Sequence, residues 1–410
     1  MHTCAELSIM KKYFILTLGC TFLLCTTLLS PVYSQKGLPS EQPFTATVNT
    51  LYPQHLDFKE SMTSNLVVPA GFKTMVVASG LGKPRIMAVN DDGSIYVTRR
   101  DVGDVLLLSD KDGDGTFEEL VTVWPHFPDV HGITIHDGYL YLASSRILKK
   151  GKINSGGMIS DTVTLLTDLP EGAQHDNRMI SFGQDGKLYM TVGSTCNDCG
   201  ETNKENATML VMNADGSNRR IFARGLRNTI GFDWHPETKE IWGCDNGTDW
   251  RGDEIPPEEL NKIEDGGDYG WPWVFGKQEV DPTREDPTGT TKAAYAKNTK
   301  PAIMTFPAHS APIDFRFIGN LPGFPAEYKN DALVAWHGSW NRKNPEGYKI
   351  QRIHYENGKP VSVQDFFSGF LSKDGKTRFG RPAGIITTKT GKIYVSDDEN
   401  GIIYCIMPSK

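Results

Sequence analysis

The chain has 410 residues, including 41 Gly and 24 Pro, and a formal net charge of −7. An acidic chain lacks the positive field that phosphate recognition needs, so nucleic acid is excluded as a partner. Heavy Gly and Pro punctuation, short β-branched or aromatic runs and few amphipathic windows exclude a helical bundle and indicate an all-β fold.

Residues 1–34 read as a signal peptide. Lys11 and Lys12 precede the apolar run Tyr13–Ser30, and Pro31-Val32-Tyr33-Ser34 leads into Gln35. The run is only just long enough to cross a bilayer, which leaves a retained anchor as the alternative reading. No other stretch approaches a span, so no membrane span is expected after cleavage, and the location follows as periplasmic or secreted. Cleavage leaves Cys196, Cys199, Cys244 and Cys405. In an oxidising compartment Cys196–Cys199 is the local disulfide candidate. Residues 35–64 form a polar leader before the main domain.

From residue 65 a unit recurs: an apolar strand, a polar turn often containing Asp-Gly, then a strand with an aromatic residue. The copies begin at Ile86, Ile133, Met179, Ile230, Ile313 and Ile385. Asp-Gly pairs favour the primed turns of tight hairpins. Hairpins at this spacing, with strand-like segments between them, match propeller blades better than a β-sandwich. Phe72–Ser79 precedes the first copy, and the sixth ends close to the C-terminus. The expected fold is therefore all-β, a six-bladed β-propeller over 65–410 closed by an N-terminal strand. Pro256-Pro257-Glu258-Glu259-Leu260 is read as a possible short helix start, and 275–308 as a long loop.

A basic residue precedes each first strand: Arg85, His131, His175, Arg227, His309 and Arg381. First strands line a propeller's axis, so these positions predict a ring at one mouth of the channel that can bind an anion. The second strands end at the same mouth in polar runs such as Asp245-Asn246-Gly247-Thr248-Asp249 and His337-Gly338-Ser339-Trp340-Asn341-Arg342. Convergent polar groups in a concavity mark a ligand site.

Several stretches resemble the soluble glucose/L-sorbosone dehydrogenases that use pyrroloquinoline quinone (PQQ). They are Gln174-His175-Asp176-Asn177-Arg178, Gly225-Leu226-Arg227-Asn228, Gly266-Gly267-Asp268-Tyr269-Gly270-Trp271-Pro272 and His337–Arg342. The resemblance covers roughly 65–410 and implies a quinone and Ca²⁺ at the channel mouth. It implies that His175 is the general base toward a sugar hydroxyl, and that Arg227, with Asn228 beside it, polarises the quinone carbonyl. It further implies that the Gly247 and Thr248 carbonyls bind Ca²⁺ and that Arg381 and Arg342 hold cofactor carboxylates. Arg85, His131 and His309 complete the expected cofactor-binding set. The chemistry suits these residues: Arg and His neutralise carboxylates, and Ca²⁺ takes hard oxygen ligands.

The implied activity is sugar or aldehyde oxidation by hydride transfer, with a small-molecule sugar as substrate and an external electron acceptor. Gln174 stands where glucose-oxidising members have Asp, and the Cys196–Cys199 loop lies outside their pattern, so the sugar stays open. The alternatives are a non-catalytic carbohydrate- or protein-binding propeller and a Ca²⁺-dependent lactonase. Asp110, Asp112, Asp114 and Gly115 resemble half an EF-hand loop. Val121 at the twelfth position is no ligand, so a hairpin turn or a peripheral Ca²⁺ site are both open there.

Overall fold

A computed structural model describes Phe44–Ser409. The expected signal peptide and most of the first part of the leader lie outside the described residues. Among those residues, six four-stranded antiparallel sheets follow one another along the chain. Blade 1 comprises Pro84–Val89, Ile95–Arg99, Asp104–Ser109 and Glu119–Trp124. Blade 2 comprises Gly132–His136, Tyr139–Ala143, Leu148–Ile153 and Ile159–Leu166. Blade 3 comprises Ile180–Phe182, Leu188–Val192, Thr208–Met212 and Arg220–Arg224. Blade 4 comprises Thr229–Trp234, Ile241–Asp245, Glu258–Ile263 and Met304–Phe306. Blade 5 comprises Pro312–Phe317, Ala332–Trp336, Lys349–Glu356 and Lys359–Phe367. Blade 6 comprises Pro382–Thr387, Ile393–Asp397 and Ile402–Pro408, with Phe72–Ala78 antiparallel to Ile402–Pro408 as its outer strand.

The first strand of each blade is innermost, and these strands meet around an axis. Pro84–Val89 touches Gly132–His136, which touches Ile180–Phe182. Leu188–Val192 of blade 3 touches Thr229–Trp234. From there contact passes to Pro312–Phe317, to Pro382–Thr387 and back to Pro84–Val89. The six repeat units read from sequence are the six blades. The Asp137-Gly138 pair makes a two-residue turn with both φ values positive, and His136 pairs with Tyr139 across it, as the sequence signal requires.

Three inner strands approach a neighbour so closely that only glycine fits. A Cβ on Gly132 of blade 2 would lie 2.2 Å from the Arg178 carbonyl oxygen beside blade 3. One on Gly231 of blade 4 would lie 2.2 Å from Phe315 N of blade 5, and one on Gly384 of blade 6 would lie 2.3 Å from Arg85 O of blade 1. Between blades, aromatic layers fill the gaps. Phe72, for example, packs edge-on against Phe324, Tyr328 and Phe366 at 4.9, 5.1 and 5.5 Å.

Two local expectations change. The Pro256–Leu260 segment does not start a helix: Glu258–Ile263 is the third strand of blade 4, paired on both sides. The Glu258 and Glu259 side chains accept backbone N–H bonds from Gly247, Ala311 and Gly276, so tertiary contacts override a local helix signal. The 275–308 stretch is not one long loop either. It holds part of a short hairpin (Val274–Phe275 with Glu279–Val280), the helix Lys292–Ala296, and the outer strand of blade 4. The helix is capped by Thr291, whose Oγ1 accepts from Ala294 N at 3.1 Å.

The described part of the leader runs along the mouth end of blades 4 to 6. Asn49 donates to Asp253 at 3.0 Å, Leu51 N donates to Trp340 O at 2.9 Å, and Gln54–His55 pairs in parallel with Thr377–Arg378.

Candidate functional site

The residues just before the inner strands, and those just after the second strands, gather at one mouth. His175 closes a 3₁₀ turn, Ala173–His175, and is 8% exposed. Its Nδ1 lies 2.9 Å from Ser194 O and 2.8 Å from Ser194 Oγ. A carbonyl can only accept, and Ser194 Oγ already donates to Cys196 O at 2.7 Å. The hydrogen is therefore on Nδ1, and Nε2 is left as the lone-pair nitrogen. Burial, with Arg227 and Arg178 nearby, pushes the ring down to about 3, so it is neutral across the neutral range.

Gly193 brings this His to Asn228. A Cβ there would lie 2.5 Å from His175 Cβ and 3.0 Å from Asn228 Oδ1. Arg227 and Asn228 are both fixed from below by Asp245, whose two oxygens accept their backbone N–H groups at 2.9 and 2.8 Å.

The Arg227 guanidinium is 3% exposed and held on three sides. Nε donates to Asn197 O at 2.9 Å, Nη2 to Asn197 Oδ1 at 2.8 Å, and Nη1 to Asn246 O at 3.1 Å. Asp249 Oδ2 is 3.4 Å from Nη2. Asn197 sits inside the four-residue loop that the Cys196–Cys199 disulfide closes. The loop is anchored by Glu201, which accepts from Thr195 N and Oγ1 at 2.7 and 2.8 Å, and by Asp198, which pairs with Arg251. One disulfide loop thus supports His175 through Ser194 and Arg227 through Asn197.

The loop after blade 4's second strand has its N–H groups turned inward. Gly247 N donates to Glu258 Oε2 at 2.8 Å, and Asp249 N to Asn197 Oδ1 at 2.8 Å. Among the described residues no donor reaches the Gly247 or Thr248 carbonyl oxygens.

His309 is 5% exposed, with Nε2 2.9 Å from Gly252 O. Its Nδ1 lies 3.8 Å from Asp249, beyond hydrogen-bond reach. His131 is fully buried, and neither ring nitrogen has a partner. Burial, Arg85 and Arg100 hold it well below its ordinary value. Across the mouth, Arg85 pairs with Asp398, whose other oxygen lies 2.8 Å from His337 Nε2. His337 is nonetheless pushed down to about 4, because burial and Arg381 outweigh that carboxylate. Arg381 donates through Nε to His337 O at 2.9 Å and through Nη2 to Gly338 O at 3.2 Å.

The predicted positions therefore form two groups: His175, Arg227, Asn228, Gly247, Thr248 and His309 on blades 3 to 5, and Arg85 and Arg381 on blades 6 and 1. His131 lies within reach of the Arg85 charge. Arg342 is engaged by the loops around it. Its guanidinium donates to the Asp253, Ala308 and Asn344 carbonyls and pairs with Glu254 at 3.0 Å. Sequence reading missed Asn197 as the holder of Arg227, and it missed the acids that pair with cations at the mouth, Asp398 with Arg85 and Asp176 with Arg100. The Cys-x-x-Cys spacing around Asn197 was the available signal.

Three carboxyls lie buried beneath the site. Burial pushes Asp245 up to about 6 and Glu258 and Glu259 up to about 8. In the unfolded chain a glutamate ionises near 4.5, so between there and about 8 the folded protein holds the extra protons. Stability from these groups is full below the unfolded value and falls as pH rises toward 8. The melting temperature is expected to drop between pH 6 and pH 8.5, and Glu259→Gln should shallow that slope in thermal melts. An unchanged slope would show that Glu259 does not titrate there.

The profile of the family described as TrAA12-like matches residues 66–263 and 275–409. An uncharacterized protein of Borreliella burgdorferi is 33% identical over 370 residues, covering 86% of this chain and 93% of that protein. The pyrroloquinoline quinone-dependent pyranose dehydrogenase of Coprinopsis cinerea is 24% identical, over 83% of this chain and 54% of its own length. This chain thus spans about half of that relative. The calcium structure of the Trichoderma reesei carbohydrate-active enzyme of family AA12 superposes with a TM-score of 0.73 at 20% identity, covering 84% of this chain and 97% of that one.

Proposed function

This chain belongs to the TrAA12-like family, and from that premise we propose that it is a PQQ-dependent oxidoreductase acting on a small sugar, with an external electron acceptor. The observation that carries this reading is the neutral His175, its tautomer fixed by Ser194, held beside the buried cation Arg227.

The donor set fits the quinone and Ca²⁺. His131 Nδ1 and Nε2 and His309 Nδ1 are buried without partners, Arg85 and Arg381 supply positive charge for carboxylates, and Arg227 supplies it for the quinone carbonyl. The free Gly247 and Thr248 carbonyls are hard oxygen donors suited to Ca²⁺. The mouth carboxylates Asp398 and Asp176 are paired to Arg, which disfavours the lactonase alternative with its acidic metal cage.

When bound, the quinone supplies the two-electron acceptor. The protein does the rest. His175 Nε2 takes the proton of the sugar hydroxyl as its C–H bond breaks, and Nδ1 keeps its proton on Ser194 O. Arg227, unable to lose its proton, holds positive charge where negative charge grows. Asn228 beside His175 offers amide groups to orient the sugar. Asn197 positions Arg227. Export, inferred from Lys11–Ser34, agrees with an oxidised Cys196–Cys199 pair.

The direct test is reconstitution with PQQ and Ca²⁺, followed by dye reduction over a panel of aldoses. Bound quinone and sugar-dependent reduction are expected; absence of any quinone binding would overturn the reading. Asn197→Ala removes the Oδ1 that accepts from Arg227 Nη2 and from Asp249 N, and leaves the bond from Arg227 Nε to the backbone carbonyl in place. Quinone affinity should fall about tenfold or more, read by titration of the quinone absorbance. Unchanged affinity would remove Asn197 from this role.

A further inference from the structure

The mouth carries an aromatic rim that the chemistry above does not use. Tyr52 of the leader stacks on Trp340, with centroids 5.8 Å apart and planes 15° from parallel. Trp250 meets Trp340 edge-on at 4.8 Å. Tyr52 is 66% exposed and Trp250 44%. The three rings form one contiguous patch, and it is contiguous exposed apolar surface that marks interaction sites. Trp250 also has φ +70, a conformation that bulky residues avoid and that is retained where surroundings impose it.

The rim adjoins the site through both of its tryptophan loops, which follow the second strands of blades 4 and 5. Asp249 precedes Trp250 and Asn341 follows Trp340. Asn341 Nδ2 donates to Asp249 Oδ1 at 2.8 Å, and the other Asp249 oxygen lies 3.4 Å from Arg227. The leader is held in place, since Leu51 N donates to Trp340 O and Asn49 to Asp253. Flat apolar faces on Tyr52 and Trp250 beside the partly exposed Asp249 carboxylate fit one class of ligand. A pyranose with equatorial hydroxyls lays its C–H face on an aromatic ring and directs its hydroxyls outward to polar neighbours.

We infer that Tyr52, Trp250 and Trp340 form a second sugar subsite, holding the ring next to the one oxidised, so that the substrate is a di- or oligosaccharide. The inference deepens the proposed function and rests on it for the identity of the first ring.

Two measurements test it. Methyl glycosides of cellobiose, maltose and xylobiose, whose blocked reducing ends prevent oxidation there, are titrated into the quinone-free protein and tryptophan fluorescence is followed. At least one is expected to bind, more tightly than methyl glucoside, and Trp250→Ala should abolish the signal. In the reconstituted protein, the ratio of kcat/KM for a free disaccharide to that for its monosaccharide should fall about tenfold in Trp250→Ala and in Tyr52→Ala. Tyr52→Ala, at an exposed side chain, guards against misfolding. No binding by any glycoside, or unchanged ratios in both variants, would overturn the subsite. Glycoside binding without turnover of any sugar would instead overturn the redox reading and leave the subsite standing.

Discussion

His175→Ala is expected to lower sugar-dependent dye reduction by about two to four orders of magnitude, the usual contribution of a positioned general base. Quinone binding should change far less, because the charges proposed to hold the cofactor lie on Arg227, Arg85 and Arg381. Ser194 O fixes the proton on Nδ1 at 2.9 Å, so Nε2 is a ready acceptor without rearrangement. The ring is not charged near neutrality, being pushed down to about 3, so the base is not lost to protonation. Single-turnover reduction by one sugar aliquot isolates the proton step from reoxidation by the dye. A variant retaining more than a tenth of parental rate would exclude His175 as the base. His175→Gln keeps much of the shape without a base of useful strength, and it should be as inactive as His175→Ala. Activity in His175→Gln alone would assign the residue a positioning role.

The second large effect concerns stability. Gly231→Ala should destabilise the protein by about 3 kcal/mol or more, the upper end for overpacking, and lower the melting midpoint by roughly 5 °C. Its Cβ would lie 2.2 Å from Phe315 N and 2.4 Å from Asp314 Cα, and these are backbone atoms that no rotamer change can move away. Relief requires blade 4 to separate from blade 5. Gly200→Ala is the control. Nothing lies within 4 Å of its Cβ and its φ is not positive, so its midpoint should stay within a degree or so of the parent. A Gly231→Ala protein melting with the control would show that the inner strands are not in close contact in solution.

The blades were legible because their signals are local. Asp-Gly turns and alternating aromatic strands declare themselves within a few residues, and Asp137-Gly138 makes the turn its sequence specifies. The basic residue before each inner strand was legible for the same reason, as one position in a repeat. The partners of those residues were not. Asp398 lies more than three hundred residues from Arg85, and Asn197 is thirty from Arg227. Nothing in the neighbourhood of either says which cation it will meet. Local propensity also misled at Pro256–Leu260, where buried carboxylates accept bonds from three distant backbone N–H groups and keep the segment extended. Arg342 illustrates the remaining gap. Its place in the motif is clear, but its guanidinium follows the surrounding carbonyls, which only the fold assembles.

The Cys196–Cys199 loop ties the redox state of the chain to the wall that holds Arg227. Asn197 presents its carbonyl and its side chain to Arg227 from a loop pinched by the disulfide. A chain held in a reducing compartment would assemble its six blades, since their cores do not involve these thiols. It would meet the quinone with that socket wall slack. Under the proposed function, protein recovered from a reducing cytoplasm is expected to bind the quinone more weakly until it is oxidised, read by quinone titration before and after oxidation.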